Sequence, residues 1–138
     1  MSSTFFTDRD LGKSFPAALR KAGILVERHD DHFKHDERDE VWLTEVGRRD
    51  WVAVTHNKRI RYQPNEKIAV IRARLRLLVL VGSAPHRDLA SNFVNTFGRI
   101  EAFISANAAP FIAKVYRPSP AELRKDSTRP GSVTRWYP

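Results

Sequence analysis

The first 27 residues constrain the fold most, because they combine two β-rich segments with a helical segment between them. Ser3–Thr7 is typical of a strand, which ends at Asp8. Residues 14–23 carry apolar side chains at helical spacing and end at Gly23, which suits the left-handed stop of a helix. Ile24–Glu27 follows as a strand. This order predicts a right-handed parallel crossover.

The rest of the chain continues the alternation of helices and strands. The predicted helices run from Asp36 to 47–50, from Asn65 to about Arg74 and from His86 to about Asn107, with strands at 51–55, 77–81 and 111–116. The pattern of the third helix predicts that Ile68, Val70 and Ile71 are buried. We therefore expect the α/β class, with a three-layer α/β/α domain around a mostly parallel central sheet.

The last part of the sequence has a different composition. Residues 118–138 contain four prolines and little periodicity, so we expect a flexible or draped, basic C-terminal extension. Residues 1–117 are predicted to form the main domain.

Charge is distributed unevenly along the chain. The net charge is +8, but residues 1–50 hold nine basic and eleven acidic residues, whereas residues 51–138 hold fifteen and five. The two parts therefore carry −2 and +10. An acidic focus in a basic body is typical of a nuclease, and a solvated basic surface is the alternative.

The composition excludes several kinds of protein. The chain has no cysteine, which rules out disulfides, thiolate zinc sites and a cysteine nucleophile. Its first residues show no signal-peptide pattern, and its longest apolar run is too short to span a bilayer. We expect a cytoplasmic protein with no membrane partner.

Polar side chains stand where strands end or helices begin. Asp8 closes the first strand, Asp39 lies in the first turn of the second helix, and Thr55-His56-Asn57 follows the third strand. These places meet at one edge of a parallel sheet, where ligands usually bind. Because clustered carboxylates share a proton or hold a cation, a metal site is one interpretation. Turn and helix-capping roles, including a capping box closed by Asp39, are the alternative.

Other polar residues allow more than one interpretation. The Thr55 hydroxyl is expected to orient a water or a carboxylate, unless the segment is a plain turn. His29, His32 and His35 suggest zinc, but their spacing does not place all three on one helical face. Surface histidines are the simpler interpretation.

Two further groups of side chains concern nucleic acid. Arg59, Arg61, Arg72, Arg74 and Arg76 form a basic run that favours either phosphate contacts or solubility. The Trp136-Tyr137 pair would either stack on a base or dock on the body of the protein.

The ordered set of motifs resembles a PIN-like domain, in particular the VapC-type toxins of toxin–antitoxin pairs. The resemblance covers about residues 4–117. The segments that carry it are Phe5-Phe6-Thr7-Asp8-Arg9-Asp10-Leu11-Gly12, Leu19-Arg20-Lys21-Ala22-Gly23, Asp39-Glu40-Val41-Trp42-Leu43, the stretch Trp51 to Ile60, Asn92-Phe93, and Ile100-Glu101-Ala102-Phe103-Ile104.

The resemblance implies a metal-dependent endoribonuclease, with Mg²⁺ or Mn²⁺ held by acidic residues at the sheet edge. Asp8 matches the first acid of the family and Asp39 matches the second. The third acid usually follows the third strand in a Thr-x-Asp pattern, and here Asn57 replaces that carboxylate with an amide. Asp10 and Glu40 are nearby acids that would compensate.

This interpretation assigns roles and partners. The catalytic residues would be Asp8, Asp39 and Asn57, and the metal ligands would be Asp8, Asp39, Asn57, Glu40 and Asp10. Nucleic acid would be contacted by Arg9, Lys58, Arg59 and Arg61. The expected partners are RNA and a cognate antitoxin, and a homodimer is left open. One alternative is a catalytically silent PIN-like domain that binds RNA or protein. A receiver-like nucleotide-binding domain is disfavoured because no Gly-rich phosphate loop is present.

Overall fold

A six-stranded sheet lies between two layers of helices in the computed structural model, which describes residues 3–56 and 64–138. The elements are β1 (Thr4–Thr7), α1 (Ser14–Lys21), β2 (Leu25–Arg28), α2 (Asp39–Arg48), β3 (Val52–Thr55), α3 (Pro64–Ala73), β4 (Arg76–Leu80), α4 (His86–Ala106), β5 (Phe111–Tyr116), α5 (Pro120–Lys125) and β6 (Ser132–Tyr137). The predicted three-layer α/β/α fold with a mostly parallel sheet is confirmed.

The strand order places a crevice between the first and third strands. The order is β2-β1-β3-β4-β5-β6, in which neighbours from β2 to β5 pair in parallel and β6 pairs antiparallel with β5. The chain leaves β1 towards β2 and then crosses to β3 on the other side. At such a reversal, the connections on the two sides diverge, and ligands bind outside the carboxyl ends of the strands.

The core explains why successive strand residues are apolar. Because side chains alternate between the two faces of a strand, Phe5 faces α1 and α4, whereas Phe6 faces α2 and α3. The run 77–80 behaves in the same way, with Leu77 and Val79 on the α2–α3 side and Leu78 and Leu80 on the opposite side. Both faces of the sheet are therefore covered.

The start of α2 differs from the sequence-based prediction. The helix begins at Asp39 rather than at Asp36, because Arg38 has an extended backbone with φ −66° and ψ 144°. The residue before the helix makes no side-chain capping bond, so the predicted capping box is absent at this helix end. The carboxylate of Asp39 is thereby available for other contacts.

The buried face of α3 also differs from the prediction. Val70 is buried, but Ile68 and Ile71 are exposed at 46% and 36% of their surface. Residues two apart on a helix point in nearly opposite directions, so Ile68 cannot share the inward stripe of Val70. Ala69 lies beside Val70 in the core.

The expectation of a flexible or draped C-terminal extension is wrong. Residues 118–138 form α5 and β6, and β6 is a full strand of the sheet. α5 begins with a capping box in which the Ser119 hydroxyl accepts from the Glu122 N–H at 3.2 Å. Gly131 is required before β6, because a Cβ there would lie 1.8 Å from the Tyr116 carbonyl oxygen.

No helix within the described residues is long and apolar enough to cross a membrane.

Candidate functional site

Asp8 lies at the carboxyl end of β1, beside the end of β3. Its backbone N–H donates to the Val54 carbonyl at 3.0 Å, which fixes Asp8 next to Thr55. The side chain is 4% exposed. Its Oδ1 accepts from the Arg9 N–H at 2.7 Å, and its Oδ2 accepts from the Thr55 hydroxyl at 2.8 Å. The prediction that Thr55 orients a carboxylate is confirmed.

The electrostatic environment of Asp8 is unfavourable to its charged form. Burial, with a further contribution from the carboxylates of Asp10 and Asp39, raises the pKa of Asp8 to about 7, against the lowering effect of the two hydrogen bonds. Desolvation and like charges both favour the protonated acid. Asp10 and Asp39 are therefore close enough to act on Asp8, and we call these three carboxylates the acidic cluster.

Asp10, the second carboxylate of the acidic cluster, is held in place by His56. Its Oδ2 accepts from the His56 N–H at 3.2 Å, and the His56 Nε2 lies 2.6 Å from the Gly82 carbonyl oxygen, to which it donates. Although Asp10 is partly exposed, the protein around its carboxylate raises its pKa, and this effect is opposed by the bond from His56 and by the positive charges that His56 and His86 can carry.

His86 is a residue that sequence reasoning missed. It is the first residue of α4 and acts electrostatically on Asp10, 76 positions earlier in the chain. Gly12 permits this approach, because it has φ +64° and a Cβ there would lie 3.2 Å from the His86 Nδ1. His86 stands in no motif, so the linear sequence carries no signal that it approaches Gly12 and Asp10.

Asp39 and Glu40 point to different surroundings. The Asp39 Oδ1 accepts from the Trp42 indole N–H at 2.9 Å, and its charge contributes to the raised pKa of Asp8. Glu40 pairs with Arg38 at 3.2 Å and lines a groove between α2 and α3. The fold thus brings Asp39 to the acidic cluster and turns Glu40 towards the groove.

The histidines do not form a zinc site. His29 is 1% exposed, which corrects the expectation of a surface residue, and its ring packs against Phe6, Phe33 and Trp42. Its Nδ1 lies 3.5 Å from the Asp30 Oδ1, yet neither ring nitrogen makes a hydrogen bond, and burial lowers its pKa. His32 instead pairs with Glu27 at 2.7 Å.

The donor set of the acidic cluster fits a hard dication held by few protein ligands. Carboxylate oxygens are the donors that Mg²⁺ takes, and a cation would relieve the repulsion that raises the pKa of Asp8. Across residues 3–56 and 64–138, no group of three or more His, Cys, Asp or Glu side chains could hold an ion by itself. Mg²⁺ is usually bound through one or two carboxylates plus waters and substrate phosphates, so this arrangement remains compatible with it.

Several predicted site residues fall outside the described residues or away from the acidic cluster. Asn57, Lys58, Arg59 and Arg61 lie outside the described residues. Arg9 is exposed and adjoins Asp8.

Two arginines of the basic run lie at the other edge of the sheet. Arg74 donates to the Ala109 carbonyl at 3.0 Å, and Arg76 donates to the Asp50 carbonyl at 2.9 Å. Both contacts lie at the amino ends of the parallel strands, far from Asp8.

The C-terminal aromatic pair packs on the body of the protein. Trp136 and Tyr137 contact the core beneath α2 and α3, and the Lys67 ammonium lies 4.9 Å from the Trp136 ring. Of the two interpretations, docking is the one observed.

Comparison with protein-family models gives one finding, and the other comparisons give none. Residues 3–82, more than half of the chain, match a model described as a PIN-like domain. No curated protein and no solved structure matches significantly. The matched range contains all three carboxylates of the acidic cluster, on a nuclease-type fold. The chain therefore belongs to the PIN-like domain family.

Proposed function

We propose that this chain is a metal-dependent endoribonuclease and the toxin of a type II toxin–antitoxin pair. The acidic cluster of Asp8, Asp10 and Asp39 is the observation that carries the proposal. Burial, and after it the repulsion from Asp10 and Asp39, raises the pKa of Asp8 to about 7. A dication removes that repulsion and stabilises the charged form of the carboxylates. The acidic cluster therefore favours metal binding.

Each residue of the acidic cluster has a role in this proposal. Asp8 would hold Mg²⁺ or Mn²⁺ together with Asp10 or Asp39. When bound, the ion activates a water and neutralises charge that develops on the phosphate. The Thr55 hydroxyl and the Arg9 N–H fix the two Asp8 oxygens, so the carboxylate does not reorient during the reaction. The exposed Arg9 side chain is available to a phosphate of the RNA.

The test is metal-dependent cleavage by natural protein and by an Asp8→Asn variant. We expect Asp8→Asn to lower the rate on a panel of structured RNAs by at least about 100-fold, since even residues behind the ligands of a metal site contribute 10- to 100-fold. EDTA should abolish cleavage by the natural protein, and Mg²⁺ or Mn²⁺ should restore it.

A matched control separates the acidic cluster from general charge effects. Asp50→Asn removes a carboxylate that is 89% exposed and pairs with Arg76 at the opposite edge of the sheet, so it should cleave like the natural protein. Equal cleavage by the natural protein and Asp8→Asn would contradict the proposal.

A second candidate is a catalytically silent PIN-like domain that binds RNA or a protein. Two observations favour it: Asn57 stands where the family has its third acid, and the described residues contain no three-membered metal-ligand group. Asn57→Asp separates the candidates, because an added carboxylate strengthens binding of a hard cation. An active enzyme should bind Mn²⁺ more tightly in this variant and keep or raise its rate. If the domain is silent, the natural protein should not cleave RNA, whether or not Asn57→Asp restores cleavage.

The proposed antitoxin would meet a groove that is lined by Glu40, the residue after Asp39. The groove has a volume of about 760 Å³ and lies between α2 and α3, where exposed Ile68 stands near Arg48 and Arg72. Apolar and cationic side chains together suit an acidic, amphipathic segment.

Co-expression tests this partner. A protein encoded beside this chain should relieve growth arrest and co-purify with it, and Arg72→Glu should weaken the complex. Arg124→Glu, on the exposed side of α5, should not. Toxicity that is equal with and without the companion protein would contradict the partner assignment.

A further inference from the structure

A second cavity lies at the carboxyl end of β5, in the part of the chain that the family model does not match. It has a volume of about 290 Å³ and lies between α4, Arg117 and the α5 region. This size is near the lower limit of small-molecule sites, about 300 Å³. The cavity can therefore take one planar ring system rather than a whole nucleotide triphosphate.

Arg117 provides a donor that the protein leaves unused. Its Nε is buried and has no hydrogen-bond partner within the described residues. Buried donors are nearly always paired, because an unpaired one lowers the stability of the fold. Arg117 also lines the cavity, so a bound ligand that carries an acceptor can pair with its guanidinium.

The other polar groups of the cavity offer mainly acceptors. The Asn95 amide donates to the Ser127 carbonyl at 3.4 Å, which leaves the Asn95 Oδ1 to accept. The Ser91 hydroxyl donates to the Arg87 carbonyl at 3.0 Å, so its oxygen can also accept. Asp88 adds a half-exposed carboxylate. A free phosphate would be repelled by Asp88, and a simple cation would be repelled by Arg117.

We propose that this cavity binds a guanine base of the substrate RNA, an inference that rests on the proposed ribonuclease function. Guanine presents O6 and N7 as acceptors, which arginine recognises in a bidentate way. Its N1–H and its amino group can donate hydrogen bonds to the Asp88 carboxylate. Adenine has no acceptor beside N7 for Arg117, and its unprotonated N1 cannot donate to Asp88. It therefore matches the two side chains less well than guanine does. Leu123 provides an apolar wall for the ring.

The cavity is close enough to the acidic cluster for one RNA chain to reach both. β5 lies three strands from β1, the strand that ends at Asp8, a separation of about 14 Å. Asp88 and His86 belong to the same first turn of α4, and His86 acts on Asp10. A guanine in the cavity would therefore fix the RNA chain that reaches the acidic cluster and favour cleavage close to guanosine.

Binding of short single-stranded RNA in EDTA tests the inference without requiring cleavage. The probes are oligouridine and the same oligomer with one guanosine, one inosine or one 7-deazaguanosine, followed by fluorescence anisotropy. We expect guanosine to bind about tenfold more tightly than uridine, as for a bidentate arginine contact. 7-Deazaguanosine lacks N7 and inosine lacks the amino group, so each should lose part of this preference.

Variants link each atom of the base to one side chain. Arg117→Gln should remove the difference between guanosine and 7-deazaguanosine, and Asp88→Asn should remove the difference between guanosine and inosine. Arg124→Gln deletes an equal charge on α5 without lining the cavity and should keep both differences. Because Asp88 is half-exposed, its variant should fold even if Arg117→Gln does not.

The outcomes distinguish this inference from the proposed function. A guanosine preference that follows these pairs supports the cavity assignment, even if the protein cleaves no RNA and the ribonuclease proposal fails. Metal-dependent cleavage without any base preference would retain the ribonuclease proposal and overturn the guanine site. A preference that both cavity variants leave unchanged would also overturn it.

Discussion

Asp8 and His29 are both buried beside the same edge of the sheet, but the protein supports them in different ways. Asp8 accepts two hydrogen bonds and faces other carboxylates, whereas His29 makes no hydrogen bond and is enclosed by aromatic rings. Burial favours the neutral form of each, so it raises the pKa of Asp8 and lowers the pKa of His29. The two hydrogen bonds to Asp8 favour its charged form and offset part of the effect of burial, whereas the rings around His29 exclude water.

The two residues should also give stability opposite pH dependences. A folded-state pKa of about 7 for Asp8 lies above its unfolded value of about 3.9, so folded protein binds more protons between these values and loses stability as pH rises through this window. His29 has a lowered pKa, so stability is lost as pH falls below its unfolded value of about 6.5. In the natural protein these two pH dependences of stability partly cancel. Variants that change one of the two residues should separate them.

The largest effect should come from Asp8→Asn in metal-free buffer. The raised pKa of Asp8 corresponds to a cost on the order of 4 kcal/mol once the acid is ionised, and the amide loses about 1 kcal/mol of hydrogen bonding. We therefore expect this variant to be more stable at pH 8 by about 3 kcal/mol in urea unfolding with EDTA. The advantage should vanish near pH 4. A variant that is less stable at pH 8 would show that Asp8 is not strained by its charge.

Thr55→Val should have the next largest effect, with the opposite sign. The variant removes the hydroxyl that donates to the ionised Asp8, which should cost about 2 kcal/mol at pH 8 and less at pH 4.5, where Asp8 is protonated. Thr44→Val is the control, because its hydroxyl donates at 2.7 Å to the Glu40 carbonyl on an exposed helix face. Denaturant unfolding at both pH values measures the difference. Equal losses for Thr55→Val at both values would contradict the role of charge.

His29→Phe should stabilise the protein modestly. The variant breaks only the 3.5 Å contact with the half-exposed Asp30 carboxylate, which water can replace, and phenylalanine suits the surrounding rings. We expect a gain of about 1 kcal/mol at pH 7 and the disappearance of the stability loss below pH 6.5, both measured by urea unfolding. His35→Gln, at an exposed position, should change neither. A loss above about 2 kcal/mol in His29→Phe would mean that the imidazole has a specific polar role.

The sequence predicts the meeting of Asp8 with Thr55 because both follow neighbouring parallel strands, and local patterns are enough to locate strand ends. Neither the burial of His29 nor the approach of His86 can be predicted in this way. Each depends on how a loop or helix end packs against β1, and a polar residue gives no periodic signal when rings enclose it. Asn57 lies outside the described residues, so its role stays a prediction.

The C-terminal strand illustrates a second limit of prediction. The prolines of residues 118–138 favour a loop, but they stand at the start of α5 and outside β6, where they interrupt no backbone pairing. The Ser119–Glu122 capping box is a signal that the sequence carries, because a serine followed three residues later by a glutamate is typical of a helix start. β6 pairs antiparallel with β5 and forms the edge of the sheet. Only this pairing distinguishes it from an extended tail.

The smallest predicted effect tests whether Asp39 acts on Asp8 through space. Asp39→Asn keeps an oxygen for the Trp42 indole but removes one charge from the acidic cluster, so the pKa of Asp8 should fall. Stability at pH 8 should rise by about 0.5 kcal/mol in urea with EDTA, as expected for a partly solvated pair. Glu40→Gln is the matched control, since Glu40 is the next residue yet pairs with Arg38 and lines the α2–α3 groove. NMR titration of carboxyl-labelled Asp8 should therefore shift in Asp39→Asn and not in Glu40→Gln. The same shift in both variants would mean that Asp8 responds to the net charge of α2, and that the acidic cluster does not include Asp39 in particular.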